Sequence, residues 1–183
     1  MADDHAAKAI SSYGGGINNT PNIDRIANEG VKFDHCYVTN SICTPSRATI
    51  LTGTYNHVNC VKTLDTHMDN ELPNVAKHLK TGGYQTAIVG KWQLGGNRET
   101  IHEFGFDEHC LWNIRGAQNE RYVSPTLLTN GKTEDFRGQY GPDLQQAFAK
   151  DFISRHQDEP FFLYYPVTLP HYPFQPTPDS PEW

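Results

Sequence analysis

Cys43-Thr44-Pro45-Ser46-Arg47 gathers a thiol, a proline and a guanidinium within about one helical turn. A helix that starts at Pro45 and closes at Gly53 sets the cysteine just before its N-terminus. Unpaired N–H groups and the positive end of the helix dipole favour an anion there. Arg47 lies four residues after Cys43, so both side chains can face one place. A guanidinium suits a tetrahedral oxyanion because it can donate forked hydrogen bonds. The chemistry suggested is a nucleophile beside an anion cradle, although a capped helix with a surface arginine gives the same spacing. In open parallel α/β sheets, ligands collect at the carboxyl ends of the strands. Three more segments fall at such places: Asp3-Asp4, the stretch Gly90–Gly95 that holds Lys91, and Pro170-His171. Composition alone reads these as a solvated acidic start, a solvated lysine and a structural histidine.

The elements that must carry these residues alternate. Thr20-Pro21, Ile23, Ile26, Ala27 and Gly30 predict a short helix capped by Thr20. Val31 to Val38, rich in β-branched and aromatic residues, predicts a strand. Leu72, Val75, Ala76 and Leu79 recur at helical spacing until Gly82-Gly83 stops them. Thr86 to Val89 reads as a buried strand, Leu144, Phe148 and Phe152 as one helix face, and Phe161 to Val167 as a strand. Gly95 to Pro142 is polar and glycine-dotted and reads as loops and small elements over the sheet edge. Pro170 to Pro181 is too proline-rich for regular structure. The expectation is one α/β domain over residues 1–183, a mostly parallel sheet flanked by helices.

Composition excludes several classes. The net charge is −6, with no clustered basic face, which argues against a nucleic-acid partner. No apolar run approaches the ~18 residues of a membrane span, and no basic stub with an apolar stretch opens the chain as a secretory leader would. The four cysteines form no C-x-x-C pair, which disfavours structural zinc and thioredoxin-type chemistry. Cys36, Cys60 and Cys110 read as ordinary thiols. A phosphate-loop nucleotide site is excluded because Trp92 follows Lys91 where Ser or Thr is required.

Cys43 to Gly53, CTPSRATILTG, resembles the sulfatase signature C-x-P-S-R followed by an apolar stretch ending T-G. Gly83 to Gly95, GYQTAIVGKWQLG, is similar to the second signature of that family, and Thr20 to Ala27 to its early helix. The likeness covers nearly the whole chain and is weakest over about 95–140. It implies an alkaline-phosphatase-like fold and a sulfuric ester hydrolase in which Cys43 is converted to formylglycine, Pro45 and Arg47 belonging to the pattern that a formylglycine-generating enzyme reads. An aldehyde hydrate has two hydroxyls on one carbon: one attacks sulfur, and the other expels sulfate as the aldehyde re-forms. The resemblance further implies a calcium ion, with magnesium as the alternative, on Asp3, Asp4 and the residue at 43. It makes Lys91 a sulfate-binding or aldehyde-orienting cation, and His171 a sulfate contact or proton donor to the leaving alcohol. The implied substrate is a sulfated small molecule or glycan. Members are often periplasmic, secreted or lysosomal, and no such address is legible here.

The sequence also departs from the family pattern. Gln93 stands where many members have a histidine; it cannot shuttle a proton near neutral pH, so slow sulfate release is expected. Met1-Ala2 directly precedes Asp3, so the apolar first strand is expected to be missing, and the second metal-ligand pair should lie beyond Trp183. Thr168 occupies a place often held by a lysine. Two alternatives stay open: a phosphonate or phosphate ester hydrolase of the same superfamily, and a catalytically inactive truncated fragment.

Overall fold

The computed structural model describes residues 1–96, 99–112 and 120–183. Two short 3-10 turns, Ala7–Ala9 and Ser11–Tyr13, precede α1 (Pro21–Glu29), α2 (Cys43–Thr52), α3 (Asn56–Asn59) and α4 (Val75–Thr81). Then follow β1 (Gln85–Lys91), β2 (Glu108–Trp112), β3 (Thr126–Thr129), β4 (Lys132–Asp135), α5 (Gly141–Arg155) and β5 (Phe161–Tyr164). The strands form one open sheet in the order β4-β3-β2-β1-β5. β1 runs parallel to both β2 and β5, whereas β3 and β4 add an antiparallel hairpin outside β2. The expected α/β architecture is present, with a parallel centre and an antiparallel flank.

Burial on both faces explains why β1 reads as a near-continuous apolar run. Ile88 packs with Ala48 and Leu51 of α2, Ala76 of α4, Leu111, Leu128 and the buried Trp92. Val89 points the other way, into a cluster with Cys110, Trp112, Leu127 and Ala149 of α5. Alternate residues of one strand thus seal two layers of helix against the sheet. Trp92 anchors the first layer, its ring edge-on to Phe104 and Phe106.

Two expectations fail. Val31 to Val38 is not a strand: Val31, Phe33, Tyr37 and Val38 are exposed and no ladder partner lies alongside among the described residues. β-propensity is a fit to a half-buried pleated surface, and without that surface the run stays irregular. The stretch from Gly95 to Pro142 is not only loop. It supplies β2, which pairs directly with β1, and the β3–β4 hairpin; residues 97–98 and 113–119 lie outside the described set. β2 was hidden because its polar residues find their partners far away in the sequence. Arg155 forks onto Glu108 at 2.7 and 2.9 Å, and His109 Nε2 accepts the Gly131 N–H at 3.0 Å. Thr20 also differs from expectation, holding Ser11 and Asp24 rather than capping α1 with its side chain.

The start of the chain adds to the sheet. Met1 N donates to Tyr165 O, Val167 N to Met1 O and Asp3 N to Leu169 O, at 3.0, 2.9 and 2.9 Å. Residues 1–3 therefore run beside the continuation of β5, on the side away from β1. The outer edge of Phe161–Tyr164 itself has no strand partner among the described residues.

Candidate active site

α2 begins at Cys43, two residues earlier than its proline suggests, so the thiol sits in the first turn. Ile42 is extended before it, and Gly53 closes the helix in the left-handed region at φ 66°. The start of the helix is pinned from outside. Asn56 Nδ2 donates to the carbonyls of Pro45 and Val61, both at 2.8 Å, and Thr44 Oγ1 to Leu64 O at 3.0 Å. Arg47 is buried at 1% exposure and points away from water. Its Nη1 donates to Lys91 O at 2.8 Å and its Nη2 to Asp3 Oδ1 at 3.0 Å.

Lys91 ends β1 with its N–H on Pro166 O at 2.8 Å. Only glycine fits before it: Gly90 has φ 117°, and a Cβ there would stand 2.0 Å from Pro166 O. The Lys91 ammonium lies 2.7 Å from Asp3 Oδ2 and 3.6 Å from Cys43 Sγ. Asp3, buried at 3% exposure, thus receives both cations. A third, Arg121, reaches Asp3 Oδ2 at 3.4 Å.

Asp4, at φ 57°, turns out of the strand-like start and meets His171 Nε2 at 3.3 Å. Left-handed backbone is tolerated by aspartate better than by most residues. His171 Nδ1 lies 2.6 Å from Tyr172 O. A carbonyl only accepts, so Nδ1 carries a hydrogen and the Nε2 edge is the one free to exchange a proton with a neighbour. The ligand atoms of Asp4, Cys43 and His171 all lie within 4.8 Å of one another. Six of the seven residues expected from sequence therefore converge: Asp3, Asp4, Cys43, Arg47, Lys91 and His171. Gln93 follows β1 at φ 54°, with its Oε1 buried and unpartnered among the described residues.

The sequence reading missed Arg121 and Tyr122. The Arg121 guanidinium lies over the Trp112 ring, 4.6 Å from its centroid. Tyr122 shares its hydroxyl hydrogen between the carbonyls of Thr168 and His171. Burial, opposed in part by Arg121, pushes that hydroxyl up to about 12, so it remains a donor at neutral pH. No motif marks this pair; a lone arginine in a polar stretch carries no periodic signal.

The sulfatase family model matches residues 1–182. The chain belongs to the sulfatase family. It is 38% identical over 181 residues to an N-acetylglucosamine-6-O-sulfatase of Bacteroides thetaiotaomicron, covering 97% of this chain and 31% of that protein. It is 33% identical to arylsulfatase A of Bos taurus, covering 94% of this chain and 40% of the relative. A solved structure, described as in complex with its substrate D-glucosamine-2-N,6-O-disulfate, superposes with a TM-score of 0.88 at 37% identity, covering 97% of this chain and 35% of that one. This sulfatase sequence thus spans 31% to 40% of the length of these relatives.

Calcium takes six to eight oxygens. The described residues of the site offer the Asp4 carboxylate, whatever atom stands at position 43, and an Asp3 carboxylate now shared by three cations. Asp4 and position 43 fit part of an oxygen shell, and Asp3 fits once an incoming dication competes for its charge. These residues suit the ion as a partial cradle and do not complete its shell.

Proposed function

We propose that this chain carries the nucleophile and the anion grip of a sulfuric ester hydrolase whose substrate is a sulfated sugar. The observation that supports it best is the charge around Cys43. Three cations, Arg47, Lys91 and Arg121, crowd one buried carboxylate, and Asp4 faces His171 beside them. Cations outnumber the two carboxylates, which leaves room for a tetrahedral anion at the helix start.

In this reading Cys43 is the residue converted to formylglycine, whose hydrate supplies one hydroxyl to take the sulfuryl group and a second to expel sulfate. A calcium ion on Asp3, Asp4 and position 43 would supply charge that lowers the proton affinity of an oxygen ligand and polarises the sulfate. Lys91 Nζ faces the side chain at 43 and steadies negative charge there. Arg47, locked by the Lys91 carbonyl, holds Asp3 in place. His171 presents Nε2 to the site and is the proton donor to the leaving sugar oxygen. Gln93 can accept and donate hydrogen bonds at its bend but moves no proton, so sulfate expulsion is slow. Sugars are favoured over simple aryl esters as substrate because one relative, 38% identical, is described as an N-acetylglucosamine-6-O-sulfatase and one solved structure, at a TM-score of 0.88, is described in complex with a sulfated glucosamine.

The test is sulfate release by purified protein from a 6-O-sulfated glucosamine, an aryl sulfate and an aryl phosphate. Mass spectrometry of the peptide holding Cys43 runs alongside. The expected result is turnover of the sulfated sugar, an aldehyde at position 43, and a loss of at least about a thousandfold in Cys43→Ala. Undiminished turnover by Cys43→Ala would end this reading, and faster cleavage of the phosphate would reassign the substrate.

A further inference from the structure

We propose that Arg121 is a third anion-binding residue of this site, resting on Asp3 in the free protein and gripping the sulfate group when substrate is present. The inference rests on the sulfate-ester reading above and extends it to a residue that no motif marks.

Of the three cations on Asp3, Arg121 is held most weakly. Its Nη1 stands 3.4 Å from Asp3 Oδ2, whereas Lys91 is at 2.7 Å and Arg47 at 3.0 Å. Arg47 has a fixed structural bond to the Lys91 carbonyl as well, and is sealed at 1% side-chain exposure. The Arg121 side chain keeps 13% exposure, so it alone of the two arginines meets the open side of the cluster. A guanidinium offers five N–H donors in a rigid fork. Here Nη1 makes a long contact with Asp3, and Nε is buried without a partner among the described residues.

The fork is nonetheless held in register. Trp112 lies under its plane at the end of β2, and Tyr122 ties the next residue to the backbone at Thr168 and His171. The wall that carries His171 therefore carries Arg121 with it. Position 168 on that wall brings only a neutral hydroxyl, buried and unpartnered among the described residues. Positive charge on this side of the site comes from Arg121 instead. A guanidinium over an indole, with its Nε unpartnered among the described residues and an ammonium beside it, fits two oxygens of a tetrahedral anion.

The test is calorimetric titration of purified protein with inorganic sulfate, at ionic strength held constant with chloride. Wild type, Arg121→Gln and Arg121→Lys are compared, with melting curves as the folding control. Arg121→Gln is expected to weaken sulfate about tenfold to a hundredfold, the loss of one or two charge-assisted hydrogen bonds. Arg121→Lys should fall between it and wild type, because it keeps the charge and loses the fork. On a sulfated sugar the change should appear mainly in KM. Sulfate affinity in Arg121→Gln equal to wild type, or no sulfate binding by wild type, overturns the proposal. Should Arg121→Gln fail to fold, Arg121→Lys decides: unchanged affinity overturns it, and a several-fold loss supports it. If no variant or wild type hydrolyses any ester while sulfate affinity still follows Arg121, the anion-binding role stands and the hydrolase reading alone falls.

Discussion

Replacing Asp3 by asparagine keeps the shape of the side chain and removes one charge, and the structure sets what that costs. Asp3 is 3% exposed, and its partners Arg47 and Lys91 are 1% and 2% exposed. Neither cation can turn to water without unpacking α2 or β1. Removing one member of a buried ion pair costs about 3–5 kcal/mol, chiefly because the remaining charge stays desolvated. Arg121, at 3.4 Å and partly exposed, adds little to the sum. For a chain of this size about 2–4 °C of melting temperature goes with each kcal/mol, so Asp3→Asn should melt about 6–20 °C lower. Circular dichroism melts of wild type, Asp3→Asn, Lys91→Met and the double variant give the cycle. The double variant should be markedly less destabilised than the two single losses added together, because Lys91→Met removes one of the orphaned cations. A loss under about 1 kcal/mol for Asp3→Asn, or a cycle that adds within error, would refute the claim that this carboxylate anchors the site.

Two further outcomes follow from other residues. Gln93→His restores a group able to carry a proton, at a left-handed position that histidine tolerates. Steady-state sulfate release is expected to rise about tenfold or more, with any pre-steady-state burst shrinking, and an unchanged rate would remove position 93 from the proton path. His109, desolvated in β2 and repelled by His102, is lowered from 6.5 to about 4. A depressed histidine binds its proton more readily when unfolded, so its contribution is full above about pH 6.5 and is lost as pH falls towards 4. The loss is of order 3 kcal/mol. Denaturant melts of His109→Gln between those pH values should show a flatter slope than wild type, and parallel slopes would refute the assignment.

How far the molecule could be read in advance depended on whether each residue's partner was near in sequence. The Cys43 helix, with proline inside its start and glycine at its end, and β1, apolar on both faces, are local patterns and were legible. So was the convergence of Asp3, Asp4, Cys43, Arg47, Lys91 and His171 on one strand-end face, through motif spacing and resemblance together. Val31 to Val38 misled because its composition fits a sheet surface that the described residues do not provide. β2 escaped because Glu108 and His109 owe their places to Arg155 and Gly131, neither close by in sequence. The hairpin beyond it did carry a signal: Asn130-Gly131 take φ values of 45° and 83°, the pair a two-residue turn between strands demands. Arg121 had none, since its role exists only where Asp3 and Trp112 meet it in space.

The backbone that carries Asp3 is seated by contacts far apart in the sequence: Met1 with Tyr165 and Val167, and Asp3 with Leu169. The first of these spans 164 positions of sequence, and pairings so far apart cost closure entropy and form slowly. α2 and β1 can be in place well before the carboxylate arrives. In that interval Arg47 and Lys91 must stay hydrated, and the layer between them cannot shut. The expected order is that the anion docks after the two cations are placed, and that its docking dries the site.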